Sequence, residues 1–287
     1  MIDPPTDGVR LCICADDFGL HAGVNDAVSR LAEMSRLHAV GALVGAPAWK
    51  SGAGVLRRLD ALGLDIGLHL DFTEFPLVPG SRNSLGRLIA QSLLHRLSRT
   101  QIRSEIRIQL DIYESVLGHG PAFVDGHQHV HQLPGIREEL LAELGDRYGK
   151  TLPWIRRTRV VPESWPDNPV SSRFKACVIE WLGAGRLSVA ARRLGFSQNR
   201  GLLGVYDFHG GQARYSALVR GWLRAARDGD LLMCHPGLGT SSVPSHGAAR
   251  AAEYQVLSSR AMDDFVREGG ILLCPMSQIL ARRACPA

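Results

Sequence analysis

The sequence of 287 residues holds no uninterrupted apolar run near the roughly 18 residues that a membrane-spanning helix requires. Its first ten residues, MIDPPTDGVR, contain acidic residues and prolines where a secretory signal would have an apolar segment. Both absences argue against insertion into a membrane or secretion across one. We therefore expect a cytoplasmic protein without a transmembrane segment.

Cysteine is sparse, and none of the six cysteines forms a C-x-x-C pair. Cys12, Cys14, Cys234 and Cys274 lie inside apolar runs that are typical of buried strands. We therefore expect reduced thiols in the core instead of a disulfide framework.

Aromatic residues are also few, at 6% of the chain, and the formal net charge is +5. The most basic stretch, His95–Arg107, contains a glutamate and no aromatic residue on which a base could stack. The sequence therefore argues against a nucleic-acid-binding protein.

Short apolar runs alternate with longer segments of helical periodicity, a pattern that predicts parallel strands joined by helices. The chain has no internal repeat or low-complexity tract, and we expect one domain over residues 1–287. Eight predicted strands suit an α/β barrel, which commonly uses about 250 residues. The predicted strands are Leu11–Ala15, Val40–Val44, Asp65–Leu70, Ala122–Asp125, Trp154–Thr158, Leu202–Tyr206, Leu231–Cys234 and Ile271–Cys274.

Five segments between these strands have the spacing of amphipathic helices, and two segments rich in Pro and Ser are predicted loops. The predicted helices are Ala22–Arg36, Ile102–Leu117, Ile136–Tyr148, Tyr215–Arg227 and Ala249–Glu268. The predicted loops are Val161–Ser172 and Ser241–Ser245.

Two adjacent carboxylates, Asp16 and Asp17, close the first predicted strand. Their burial is costly unless a cation or a proton partner compensates the charge. In the alternative interpretation, one aspartate caps the following turn and the other faces solvent. His69 interrupts the third predicted strand near its end, and such a histidine is either a hydrogen-bonded core residue or a ligand.

Three histidines, His127, His129 and His131, occupy alternate positions after the fourth predicted strand. They share one face if the backbone stays extended, and neutral imidazole is the commonest metal ligand in proteins. The alternative is a solvated histidine-rich loop. Asp125, just before them, is placed to fix the tautomer of a ligand imidazole.

A fourth signal is His235, which follows a late predicted strand in the segment CHPG. It is a candidate general acid or base. The alternative is that Pro-Gly marks a turn without any chemistry. The four signals follow four different strands, and the carboxyl ends of barrel strands meet on one face, where active sites lie. One carboxylate and two imidazoles leave coordination positions open, as in a catalytic metal site.

The chain resembles the YdjC-like carbohydrate deacetylase family, which includes chitooligosaccharide deacetylases, in four segments that follow the family's order. These are ADDFGL at Ala15–Leu20 followed by Asn25, GLHL from Gly67, DGHQHVH from Asp125 and CHPG from Cys234. Gly126 stands where family members often have Ser, and Lys150–Asp230 matches no motif. The resemblance implies a distorted TIM-like barrel and a metal-dependent hydrolase that removes an acetyl group from an N-acetylated amino sugar.

Carried over residue by residue, the resemblance implies one divalent ion held by Asp17, His69 and His127. Asp16 becomes the candidate base and His235 the candidate acid. The mixed nitrogen and oxygen donors are compatible with magnesium, zinc, manganese and cobalt.

Several neighbours of these residues have two interpretations each. His129 is the alternative third ligand, and otherwise His129 and His131 are expected beside the ligands or the substrate. Arg156 and Arg157 are expected to bind sugar hydroxyls or a substrate anion, or to form a buried salt bridge and a surface charge. The aromatic residues Trp154, Trp165 and Tyr206 either stack on a sugar or belong to the core.

The sequence is also compatible with other functions. Amidohydrolase-type and phosphoesterase barrels also use H-x-H motifs, but usually on an early strand, whereas here the early strand carries Asp-Asp. A non-catalytic sugar-binding barrel would keep the fold without a complete site. An oxygenase with two histidines and a carboxylate usually has a β-sandwich, which the α/β alternation does not support. The expected partner is an acetylated amino sugar, and the sequence leaves open whether the chain acts as a monomer or a homodimer.

Overall fold

Eight strands form one sheet in the computed structural model of the protein, which describes residues 8–161, 177–239 and 246–284. Every paired strand in it runs parallel to its neighbour. The strands are β1 (Val9–Phe18), β2 (Ala39–Ala42), β3 (Asp65–Leu70), β4 (Phe123–Gly126), β5 (Trp154–Ile155), β6 (Leu202–Leu203), β7 (Asp230–Cys234) and β8 (Ile271–Leu273).

Strand β1 lies inside the sheet, whose order is β5-β4-β3-β2-β1-β7-β6. Strand β8 pairs with the beginning of β1, so that Leu11 has Asp230 of β7 as one partner and Leu273 of β8 as another. The two edges of the sheet approach each other through an isolated bridge between Val160 and Leu202. The prediction of a distorted α/β barrel with parallel strands is therefore confirmed.

The predicted strands all exist, and the bounds of three of them differ from the predicted bounds by three residues at one end. β1 begins before the predicted Leu11–Ala15 and continues to Phe18, because it pairs along its length with three neighbours. β5 and β6 contain only two residues each, since the sheet narrows to single bridges where these strands meet.

Helices follow most strands, and ten α-helices have bounds in the described part of the chain. They are α1 (Ala22–Glu33), α2 (Trp49–Ala61), α3 (Leu85–Leu93), α4 (Arg99–Leu117), α5 (Ile136–Tyr148), α6 (Gly185–Arg193), α7 (Gly211–Ala225), α8 (Gly247–Leu257), α9 (Arg260–Glu268) and α10 (Met276–Ala284). A 3-10 segment covers His127–Gln132, and a π-helical turn, Glu180–Ala184, precedes α6.

Two aspects of the helix prediction are wrong. The predicted helix Ala249–Glu268 is divided into α8 and α9, because Ser259 adopts the extended conformation of a helix N-cap between them. The apolar spacing continues across this break and therefore does not reveal it. Helices α2, α3, α6 and α10 were not predicted, and glycines weaken the helical signal at the start of α2.

The two faces of the strands carry different side chains. Leu11, Ile13 and Ala15 of β1 pack in the large cluster that also contains the helices, whereas Cys12 and Cys14 belong to the barrel interior. Side chains alternate along a strand, so the next interior position of β1 after Cys14 is Asp16.

Side chains alternate in the same way at the ends of β4, β5 and β7. The interior residue Phe123 of β4 is followed two positions later by Asp125, and Trp154 of β5 by Arg156. Met233 of β7 is followed two positions later by His235. The barrel interior is therefore apolar along the strands and polar where the strands end.

Some predictions fall outside the described residues, namely Trp165, Cys285, most of the predicted loop Val161–Ser172 and the loop Ser241–Ser245. The five cysteines that the structure describes are free thiols; Cys12, Cys14 and Cys234 are buried as expected, whereas Cys274 is partly buried and Cys177 is exposed. Among the helices described, none has both the length and the apolar character needed to cross a membrane.

Candidate active site

An irregularity at the end of β1 brings Asp16 and Asp17 to the same pocket. In a regular strand their side chains would point to opposite faces. The pairing of β1 with β2 shifts register between Ala15 and Phe18, and Asp17 has the left-handed backbone conformation with φ of 67°. Such a bulge redirects a side chain at the rim of a barrel. Both carboxylates consequently lie beside one histidine, His69.

Asn25 of α1 supports the turn that follows Asp17. Its side-chain oxygen accepts a hydrogen bond from the N–H of Gly19 at 2.7 Å, and its amide group donates to the carbonyl of Ala48 at 3.0 Å. Gly19 has φ of 96°, and a Cβ there would lie 2.8 Å from the carbonyl oxygen of Leu43. The motif residue Asn25 therefore holds the backbone that presents Asp17.

The side chains of Asp17, His69 and His127 offer three ligand atoms that all lie within 4.8 Å of one another. Oδ1 of Asp17 is 3.0 Å from Nδ1 of His127 and 3.5 Å from Nε2 of His69. Donors that bind one ion at about 2.1 Å stand roughly 3.0 to 3.4 Å apart. The three residues therefore fit a shared divalent cation, and they come from the ends of β1, β3 and β4.

Arg250 of α8 occupies the other oxygen of Asp17, with Nη2 2.5 Å from Oδ2. Burial would raise the pKa of Asp17, but Arg250 and His127 outweigh it and hold that pKa well below its usual range. The carboxylate is consequently ionised at neutral pH. Its Oδ1 is directed at the two imidazoles and is the oxygen available to a cation.

The electrostatic field at the two imidazoles favours positive charge. Burial opposes protonation of His127, but the Asp17 carboxylate raises its pKa to about 10. For His69, burial is likewise opposed by Asp125 and Asp16, which raise its pKa well above the ordinary value. An electrostatic field that favours protons on these two imidazoles also stabilises a metal cation bound in place of the protons.

A second group of potential ligands, Asp16, His69 and Asp125, is already engaged in a salt-bridge network. Arg156 donates from Nη1 to Oδ2 of Asp16 at 2.5 Å and from Nη2 to Oδ1 at 2.6 Å. The same Nη2 is 2.7 Å from Oδ2 of Asp125, whose Oδ1 is 2.8 Å from Nδ1 of His69. Because the guanidinium of Arg156 already pairs with both carboxylates of this group, the first group is the better candidate for a metal.

The expectation that three histidines share one extended face is wrong. The backbone turns into the 3-10 segment His127–Gln132, and Gln128 and His129 have left-handed conformations. His131 consequently lies in the interior, with Nε2 3.0 Å from the carbonyl oxygen of Arg156. Burial lowers the pKa of His131 to about 4 and that of His129 well below its ordinary value. Of the three histidines, His127 is the one in contact with Asp17.

His235 lies just beyond β7, on the Asp16 side of the pocket. Its Nε2 is 4.0 Å from Oδ2 of Asp16, and its ring meets the ring of Phe208 edge to face at 5.1 Å. Its backbone N–H donates to Oε2 of Glu253 at 2.5 Å, and its Nδ1 is 3.9 Å from Oε1. Burial lowers the pKa of His235 to about 4, so its imidazole is neutral at pH 7.

For the remaining candidate residues, the arginines and aromatic residues near the strand ends, the structure mainly supports a structural role. Arg156 is fully buried and pairs with carboxylates, which favours the buried salt bridge over sugar binding. Arg157 donates its backbone N–H to Asn199, away from this network. Trp154 is 3% exposed and donates from Nε1 to Asp65, so it belongs to the core. Tyr206 is equally buried, and its hydroxyl lies 2.7 Å from Glu253.

Three site residues were missed by the sequence reasoning. Arg250 and Glu253 lie three positions apart on α8 and are both buried, one against Asp17 and the other against His235. Two ionisable residues at helical spacing among alanines were the only available signal. Glu74 follows β3, and Oε1 of its carboxylate is 3.2 Å from Nε2 of His127. Nothing in the local sequence marks this glutamate.

The fold and the site define an α/β barrel whose strand ends carry a carboxylate–imidazole centre. The model of the YdjC-like protein family matches residues 10–268, and the chain therefore belongs to that family, as the resemblance implied.

Curated relatives span nearly the whole chain. A mouse protein named carbohydrate deacetylase is 28% identical, and the alignment covers 96% of each chain. Its human counterpart of the same name is 27% identical over 96% of this chain and 92% of the relative. A Salmonella paratyphi B protein named chitooligosaccharide deacetylase is 25% identical over 91% and 95% of the two chains.

Solved structures share the fold at lower identity. An Enterococcus faecalis protein described as a candidate cellobiose-phosphate cleavage protein has a TM-score of 0.69 and 17% identity, covering 96% of this chain and 100% of its own. A deacetylase solved with its substrate has a TM-score of 0.50 and 13% identity, covering 96% and 92%. At these identities the likeness concerns the fold alone.

Proposed function

We propose that the protein is a metal-dependent carbohydrate deacetylase that hydrolyses the acetamido group of an N-acetylated amino sugar. The names of the mouse, human and Salmonella relatives support the deacetylase activity. The observation that carries the proposal is the meeting of Asp16, Asp17, His69, His127 and His235 at the ends of four parallel strands.

Asp17, His69 and His127 would hold the divalent ion, because their donor atoms have suitable separations and a field that favours a cation. Bound there, a divalent ion acidifies water and polarises the acetyl carbonyl. Zinc, magnesium, manganese and cobalt all accept such mixed donors, and metal analysis of protein purified without added ions identifies the resident one. Glu253, Arg250 and Arg156 do not bind the ion in this account but hold the groups around it.

Asp16 would take the proton of the attacking water. Arg156 fixes both of its carboxylate oxygens, so that the orientation of the base is set before the substrate arrives. The base is thus preorganised by an interaction that is itself fully buried.

His235 would supply the proton to the departing sugar nitrogen. Since the buried imidazole is neutral at pH 7, it acquires this proton during the reaction. Oδ2 of Asp16, 4.0 Å from Nε2, is placed to deliver it once it has accepted a proton from water. Glu253 orients the acid by accepting the backbone N–H of His235.

Acetate release from N-acetylglucosamine oligomers by metal-loaded protein tests the activity. Phosphate release from a generic phosphoester, measured beside it, covers the phosphoesterase alternative. We expect acetate without phosphate, and loss of acetate release after chelation. Binding of the acetylated sugar without any turnover by metal-loaded protein would instead support a non-catalytic sugar-binding barrel.

A further inference from the structure

Each of the two candidate ligand histidines has a carboxylate on its second ring nitrogen. His69 presents Nε2 to Asp17 and has Nδ1 2.8 Å from Oδ1 of Asp125. His127 is arranged in the opposite sense, because Nδ1 faces Asp17 and Nε2 lies 3.2 Å from Oε1 of Glu74, at ion-pair distance but outside hydrogen-bond geometry. Asp125 is part of the DGHQHVH motif, whereas Glu74 lies in a segment without any motif.

We propose that Glu74 is a positioning residue that accepts the Nε2–H of His127 in the metal-loaded protein and thereby directs the Nδ1 lone pair toward Asp17 and the cation. The inference rests on the proposed metal site. A neutral imidazole carries one N–H, and the group that accepts this hydrogen decides which nitrogen is left to bind a metal. Without an acceptor at Nε2, the His127 ring loses the contact that fixes its orientation.

The turn that carries Glu74 is built around a second carboxylate, that of Asp71. Oδ1 of Asp71 accepts the backbone N–H and the hydroxyl of Thr73, each at 2.7 Å. Oδ2 accepts the backbone N–H of Glu74 at 3.1 Å and that of Phe75 at 2.6 Å. Three consecutive backbone N–H groups therefore point at one carboxylate, which fixes the backbone of Glu74 itself.

Two side chains of helix α4 form hydrogen bonds with the backbone of this turn and of the segment after it. The Gln109 side chain accepts the backbone N–H of Asp71 at 3.0 Å and donates to the Asp71 carbonyl oxygen at 2.6 Å. Glu105, also buried, accepts the backbone N–H groups of Leu77 and Val78, each at 2.7 Å. The polar residues of this network are buried, whereas the Glu74 side chain is 34% exposed. The network thus serves to hold one partly exposed carboxylate at His127.

Zinc affinity and the NMR signals of zinc-loaded protein labelled with 15N test the inference. In the unmodified chain we expect zinc on Nδ1 of His127 and a protected proton on Nε2. Glu74→Ala should weaken zinc binding about 10- to 100-fold and speed the exchange of that proton. Glu74→Gln keeps a side-chain oxygen that can accept the hydrogen bond, so its zinc affinity should return to within a few-fold. Glu33→Ala, on the exposed surface pair with Arg58, is the control and should change nothing.

The possible results distinguish the role of Glu74 from the existence of the metal site. Unchanged zinc affinity in Glu74→Ala, with Asp17→Asn losing zinc, overturns the role of Glu74 and leaves the site standing. Zinc retained by Asp17→Asn overturns the proposed ligand set. If Glu74→Gln binds zinc as weakly as Glu74→Ala, the positioning hydrogen bond is contradicted, because charge alone then explains the effect. Thermal unfolding of the Glu74 variants should match the unmodified chain.

Discussion

Arg156 holds Asp16 by two hydrogen bonds, of 2.5 and 2.6 Å, although 140 residues separate them in the chain. The guanidinium also lies 2.7 Å from Asp125, and all three side chains are almost completely buried. One guanidinium therefore pairs with two interior carboxylates, at the ends of β1 and β4. The candidate base is part of the barrel interior and not a surface group.

Arg156→Met should destabilise the fold strongly. The change leaves Asp16 and Asp125 buried without their cation, and breaking a buried ion pair typically costs about 3–5 kcal/mol. Urea unfolding followed by circular dichroism measures the loss in the free energy of unfolding. Arg157→Met is the neighbouring control and should cost much less, because Arg157 is only partly buried and lies outside this network. Equal losses in the two variants would contradict the account.

Glu253 should make the stability of the protein fall as the pH rises from about 4.5 to 7. Burial raises the pKa of Glu253 from 4.5 to about 7 in the folded chain. Over this interval the unfolded chain has lost the proton that the folded chain still holds, so deprotonation favours unfolding. The contribution of this group is present below pH 4.5 and is lost by pH 7, and it amounts to about 3 kcal/mol.

The Glu253→Gln variant isolates the contribution of Glu253 to the pH dependence of stability, because glutamine does not titrate. Its free energy of unfolding relative to the unmodified chain should increase by up to about 3 kcal/mol between pH 4.5 and 7. Glutamine keeps one acceptor oxygen, so the variant loses only the hydrogen bonds to the replaced oxygen, from Tyr206 or from Tyr215 and the His235 N–H. That loss affects the absolute difference but much less its pH dependence. A difference that stays constant with pH would show that Glu253 is ionised in the fold throughout this range.

His235→Gln should lower kcat for acetate release by about 10²- to 10⁴-fold, the range typical of a lost general acid. Metal content should not change, since His235 does not contact the three candidate ligands closely enough to share their ion. His119→Gln replaces an exposed histidine after α4 and serves as the control. Full activity in His235→Gln would remove this residue from the mechanism.

His127→Ala and His129→Ala distinguish the two candidates for the third ligand. His127 lies 3.0 Å from Asp17, while His129 has the left-handed conformation of a tight turn and belongs to no described ligand group with Asp17. We expect His127→Ala to lose most bound zinc and His129→Ala to retain it. The reverse result in a zinc-binding titration would support the alternative assignment.

The barrel and most of its polar strand ends could be predicted from the sequence. Buried strands leave continuous apolar runs, and a polar residue such as His69 at the end of a run is conspicuous. The step from Trp154 to Arg156 follows the same alternation as the step from Phe123 to Asp125. The burial of Arg156 could therefore be predicted from the sequence. Its two carboxylate partners could not, because they lie on other strands.

Asp125 was predicted as a supporting residue, but the roles of Arg250, Glu253 and Glu74 could not be predicted, because long-range packing creates them. Arg250 and Glu253 reach the site only because α8 packs there. Glu74 reaches His127 through a turn whose hydrogen bonds depend on α4. The wrong expectation of an extended His127–His131 segment has a similar cause, since alternate spacing in sequence does not reveal a left-handed turn.

Metal content after zinc loading and buffer exchange tests the central claim most directly, measured in Asp17→Asn, His69→Ala and Asp16→Asn. The first two changes remove donors whose atoms lie within 4.8 Å of one another, and both proteins should lose zinc and acetate release. Asp16→Asn should keep zinc and lose turnover. Full zinc occupancy in both Asp17→Asn and His69→Ala would contradict the account.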